Sequence, residues 1–186
     1  MKKMVSMQRL LAALLAVLLL CPMAACKKQE ADIDQWEAEE KERVYSSLTS
    51  GQYYDLDGRY VYLHDTGLYE RPLVICFWKM DRPESLNALP AFQKAFERYG
   101  DKAQFLMICT YSENDGSGSE DAKQWIEEKG YTFPVFYDRD QILLQGLRVE
   151  KLPYILFFGK SNELVHIRNE ALSEGEIDTL IADILE

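Results

Sequence analysis

Sulfur and imidazole are scarce in this chain. Its 186 residues hold four cysteines, Cys21, Cys26, Cys76 and Cys109, and two histidines, His64 and His166. The cysteine spacings fit no zinc site and the histidines lie far apart in sequence, so neither a metal nor another cofactor is expected. A hydrolytic serine would lack its base for the same reason. Cationic side chains are also in short supply: 21 Lys and Arg stand against 31 Asp and Glu, a net charge of -10. A surface of that sign repels polyanions, which excludes nucleic acid as a partner.

Long apolar runs are missing too, except at the start. Met1 to Arg9 is basic through Lys2, Lys3 and Arg9, and Leu10 to Leu20 is continuously apolar. That is the pattern of a bacterial export signal. Met23-Ala24-Ala25-Cys26 resembles a lipobox, with Met23 where Leu is usual, while Leu20 makes Cys21 a poor alternative. The resemblance implies a signal peptide over 1–25, acyl chains on Cys26, and a domain held on the extracytoplasmic side of the bacterial envelope. An uncleaved anchor is the competing reading, but a span needs about 20 apolar residues and Pro22 interrupts this one. From Cys26 to Gly51 the chain is charged, with Val44 and Leu48 among its sparse apolar points. This reads as an acidic tether of helical tendency, followed by one domain over 52–186.

The domain alternates strands and helices, which predicts an α/β fold. Asp57-Gly58 between tyrosine-rich flanks signals a hairpin. Leu73 to Trp78 is a short apolar run of the kind buried on both faces of a sheet, and Leu86, Leu89, Phe92, Phe96 and Tyr99 follow at helical spacing. Gln104 to Thr110 is a second buried strand, parallel to the first. Ser117 and Glu120 suggest a capping box for a helix ending at Gly130, and Ser173 with Glu176 a second one for the final helix. Between them lie a segment from Thr132 to Asp138, a short helix over 140–147, a strand from Tyr154 and its return from Glu163.

Together, Phe77-Trp78 ahead of a helix containing Pro90, the Phe133-Pro134-Val135 segment and Leu152-Pro153 carry a resemblance. The chain resembles the thioredoxin superfamily, most closely its membrane-anchored thiol–disulfide oxidoreductases of the TlpA and ResA type. That implies a central mixed sheet flanked by helices, an amino-terminal β-hairpin, an inserted helix and a cis Leu152–Pro153 bond. It also locates a redox motif, and the motif is altered. Where the family carries Trp-Cys-x-x-Cys, this chain has Asp81, Arg82, Pro83, Glu84 and Ser85. Disulfide exchange needs a thiolate to attack and a second sulfur to resolve, and guanidinium and hydroxyl groups do neither.

Two functional classes follow. In one, the domain is a redox-inactive binding or scaffold protein, with a groove around Asp81, Leu152 and Pro153 that takes an extended peptide or envelope protein by strand addition. The competing view of Pro153 is an architectural turn. In the other class, a thiol–disulfide or peroxiredoxin-like enzyme uses a relocated thiol, Cys76 or Cys109. A cysteine on a buried strand ordinarily behaves as a small hydrophobe, and a Cys76–Cys109 disulfide would have to bridge neighbouring core strands.

Overall fold

The computed structural model describes residues 38–62, 71–111 and 118–186. The described residues from Arg43 to Glu186 form one compact unit. Cys26 and the leader lie outside the described residues, as does His64. Among the described residues, no helix is long and apolar enough to cross a membrane.

This unit is a seven-stranded mixed sheet between two layers of helix. Its strands are β1 (Tyr53–Tyr54), β2 (Tyr60–Val61), β3 (Leu73–Trp78), β4 (Gln104–Tyr111), β5 (Val135–Arg139), β6 (Tyr154–Phe158) and β7 (Leu164–Arg168). They lie in the order β2-β1-β5-β4-β3-β6-β7. β3, β4 and β5 run parallel, and β6 and β7 turn back antiparallel on the other side. The expected hairpin is present, with Tyr54 opposite Tyr60. Its loop closes around Asp55, whose carboxylate accepts from the amides of Asp57 and Arg59 at 2.9 and 2.8 Å, and Gly58 takes the left-handed φ of 74° that the turn requires.

All six residues of β3 are buried, because both faces of the strand are covered. Val74, Cys76 and Trp78 join one core, and Leu73, Ile75 and Phe77 join the other. The first core is roofed by α2 (Pro83–Tyr99), α3 (Ser119–Lys129) and α5 (Glu174–Leu185), which contribute Leu89 and Phe92, Ile126, and Ile177 and Ile181. The second is roofed by residues 43–50 of α1 (38–50) and by α4 (Ile142–Gly146). Ser173 caps α5 as expected: Glu176 accepts from the Ser173 amide at 2.8 Å, and Ser173 Oγ accepts from the Glu176 amide at 3.4 Å. The cap of α3 differs from expectation. Gly118 is the capping residue, and Asp121, not Glu120, reaches back to its amide at 2.9 Å.

The expected boundary at residue 52 is also corrected. Val44 is fully buried and Leu48 nearly so, in one core with Tyr53, Leu143 and Phe158. Their four-residue spacing puts both on one stripe of α1. Tyr45 is locked in as well, donating to the carbonyl of Asn162 and accepting from the Leu164 amide. Gly51 passes so close to Leu143 that a Cβ there would lie 2.0 Å from Leu143 Cδ2. The last two turns of the predicted tether are therefore part of the domain.

Candidate functional site

β3 ends at Trp78, and the chain turns through Lys79 to Arg82 before α2 begins. Pro83 at the first helical position starts the helix without needing its missing amide. Arg82 is the extended capping residue, φ -116° and ψ 104°, and no side chain caps the helix. Asp81 stands between two cations, 3.5 Å from Lys79 Nζ and 3.8 Å from Arg82 Nε. Glu84 in the first turn suits the positive end of the helix, while Arg82 opposes it.

Facing this turn is the Leu152–Pro153 peptide, which is cis. A groove of about 700 Å³ lies between them. Lys79, Arg82, Glu84 and Asn87 line one side, the stretch from Val149 to Pro153 with Gln141 and Leu144 of α4 lines the other, and Asn169 to Ala171 lines the rest. Of the residues singled out in sequence, Arg82, Glu84, Leu152 and Pro153 meet here. Asp81 and Pro83 are exposed beside it and do not line it.

Ser85 goes elsewhere. It lies on the inward face of α2, fully buried, and its hydroxyl has no hydrogen-bond partner. Ser85 is thus sealed into the core.

Cys76 and Cys109 are free thiols, 0% and 1% exposed, in the core under α2 and α5. They are not ladder partners: Cys76 pairs with Met107, and Cys109 with Trp78. Burial raises both thiol pKa values well above the ordinary range, and Lys79 offsets only part of this at Cys109. Neither holds a thiolate at neutral pH, and neither reaches the groove. His166 pairs with Asp183 at 3.1 Å on the β7–α5 side and packs on Phe157. Among the described residues, no group of three or more His, Cys, Asp or Glu is placed to hold a metal ion.

Several groove residues were not singled out from sequence. Asn87 has a local signal, since it lies three residues beyond Glu84 on the same helix face. Gln141 and Asn169 have none, because chain reversals bring them in. Asp138, near the end of β5, is fully buried. Desolvation lifts its pKa from 3.8 to about 6, against the pull of hydrogen bonds from the amides of Leu143, Leu144 and Ile142.

The comparisons agree with this architecture. Thiol-disulfide oxidoreductase YkuV of Bacillus subtilis (strain 168) is 24% identical over 99 residues, covering 53% of this chain and 67% of that protein. A secreted disulfide oxidoreductase of Mycobacterium tuberculosis, described as homologous to E. coli DsbE, superposes with a TM-score of 0.63 at 17% identity, covering 74% of this chain and 98% of its own. The pneumococcal exposed lipoprotein thioredoxin Etrx1, from Streptococcus pneumoniae strain TIGR4, gives a TM-score of 0.58 at 22% identity and covers 70% and 97%. These structures share the thioredoxin-like fold. Residues 44–167 match the AhpC/TSA family model, so the chain belongs to the AhpC/TSA family.

Proposed function

We propose that this protein is a lipid-tethered, extracytoplasmic thioredoxin-like domain that binds an extended polypeptide and exchanges no disulfides. One observation carries the reading: the groove between Arg82 and the cis Leu152–Pro153 peptide is present, while among the described residues no thiol lines it. Leu144, Val149 and Leu152 give it an apolar strip, and charges of both signs with three carboxamides surround that strip. Such a lining suits main-chain amides and mixed side chains.

An insulin assay separates this from enzymatic function. The full chain is expected to leave insulin reduction by dithiothreitol at the buffer rate. It is also expected to bind fluorescent, S-alkylated insulin B chain, with Leu152→Glu weakening that binding about tenfold. Thiol-dependent turnover abolished by Cys76→Ser or Cys109→Ser would overturn the proposal in favour of a relocated thiol. Burial of both sulfurs argues against that outcome.

The tether rests on Cys26 behind Ala24-Ala25. Several acyl chains there would anchor the protein stably to an envelope membrane, where one alone would be marginal. Radiolabelled palmitate should enter the wild-type chain in bacterial cells and be lost from Cys26→Ser. Equal labelling of both would remove lipidation at Cys26 from the reading.

A further inference from the structure

Half of the groove lining comes from one stretch of chain, Gln141 to Pro153, and one buried carboxylate ties the start of this stretch to the sheet. Asp138 Oδ1 accepts from the Leu143 amide at 2.9 Å, and Oδ2 accepts from the Leu144 amide at 3.1 Å. Leu144 lines the groove, and Leu143 is buried behind it. Asp140 and Gln141, which join the strand to α4, both take a left-handed φ of 58°, and Arg148 just beyond α4 takes 53°. Residues other than glycine keep that conformation where their surroundings hold them in it.

Two buried hydroxyls come from strands of the same sheet. Thr110 is Asp138's ladder partner on β4, and Tyr53 from β1 feels its charge. Both hydroxyls are buried without a partner. An ionised carboxylate has acceptors enough for both α4 amides. A protonated one turns an oxygen into a donor, which weakens one of those bonds.

We propose that Asp138 is the latch of the groove wall: its carboxylate holds α4 against the end of β5, and proton uptake loosens the wall from α4 to Pro153, so the groove changes shape as its surroundings acidify. This rests on reading the groove as a polypeptide-binding site, since it concerns the regulation of that site. The titratable neighbours are Tyr53 from β1, Cys109 from β4 and Asp140 in the following turn; α4 contributes none. None of these is a cation that would hold Asp138 ionised in acid. Its pKa of about 6 places the change in the mildly acidic range, ionised above and protonated below.

The test is a nitrogen-15 NMR titration of the full chain in detergent, from about pH 7.5 to about pH 4.5. The amides of Leu143 and Leu144 are expected to shift together with those of Val149 and Leu152, at one midpoint near 6. Hydrogen exchange at Leu144, corrected for its intrinsic pH dependence, should quicken about tenfold at the acid end. Asp138→Asn should abolish the shared midpoint, while the exposed Asp140→Asn keeps it. Titration confined to residues 138–144, with Val149 and Leu152 unmoved, would reduce Asp138 to a helix cap and overturn the latch. Should Asp138→Asn fail to fold, the wild-type titration decides by the same criterion. Binding of the S-alkylated B chain is scored separately: a titrating wall without binding keeps the latch and removes the polypeptide reading, whereas binding beside an unresponsive wall overturns the latch alone.

Discussion

Replacing Arg82 and Ser85 together by cysteine is expected to turn this protein into an insulin reductase. Dithiothreitol-dependent turnover should rise from the buffer rate to at least about tenfold above it. The frame for that gain is in place. Position 82 caps a helix of seventeen residues, where unpaired amides and the helix dipole stabilise a thiolate. Position 85 lies one turn on and is buried, so a sulfur there resolves a mixed disulfide without offering itself to substrate. The present Ser85 hydroxyl has no partner, so its replacement by a thiol forfeits no hydrogen bond. The cis Leu152–Pro153 peptide already faces the loop across the groove. Glu84 opposes thiolate formation through its charge, so Glu84→Gln in the same background should raise activity further. Absence of any gain in a folded double variant would mean that the groove has diverged along with the motif, and it would weaken the comparison on which the binding-site reading rests.

The second large effect is expected at Val44. Val44→Asp should lower stability by about 3 kcal/mol or more, read as a shift in the urea midpoint, because it buries a carboxylate among Leu48, Tyr53 and Leu143. Val44→Ala removes only two methyl groups, so its cost should be smaller, on the order of 1–2 kcal/mol. Ser46→Asp, on the exposed side of the same helix, supplies the control. If Val44→Asp costs no more than Ser46→Asp, the domain begins at residue 52 and α1 is only a tether. The issue bears on function, since Leu144 of α4 lines the groove while Leu143 beside it packs in the core that Val44 completes. A chain cut at residue 52 would leave α4 uncovered on that side.

The two predictions probe different kinds of information. The make-up of the loop at 82 to 85 needs no coordinates: a loop without cysteines is a covalent fact. The order of strands and helices was equally accessible, because β3 and β4 are short all-apolar runs, and only a sheet covered on both faces accommodates them. Phe77-Trp78, Pro90 and Leu152-Pro153 then located the loop and its opposite wall, and the cis bond stands where the resemblance implied it.

Val44 and Leu48 show where such reading stops. Two apolar residues on a charged helix give a stripe too narrow to distinguish a solvated tether from a docked helix, and the decision belongs to the Leu143 surface almost a hundred residues away. Ser85 is similar: its rotation into the core depends on how α2 lies across the sheet. Asp138 closed a short motif in sequence, and nothing local indicated that it would be fully buried while holding two amides of the next helix. Thus the sequence by itself determined the fold class and the absence of cysteine from the loop between β3 and α2, because these follow from residue type, periodicity and order. Only the tertiary structure decided the extent of the domain, the sealing of Cys76, Cys109 and Ser85, and the two walls of the groove, because burial and approach between distant segments are set by the packed whole.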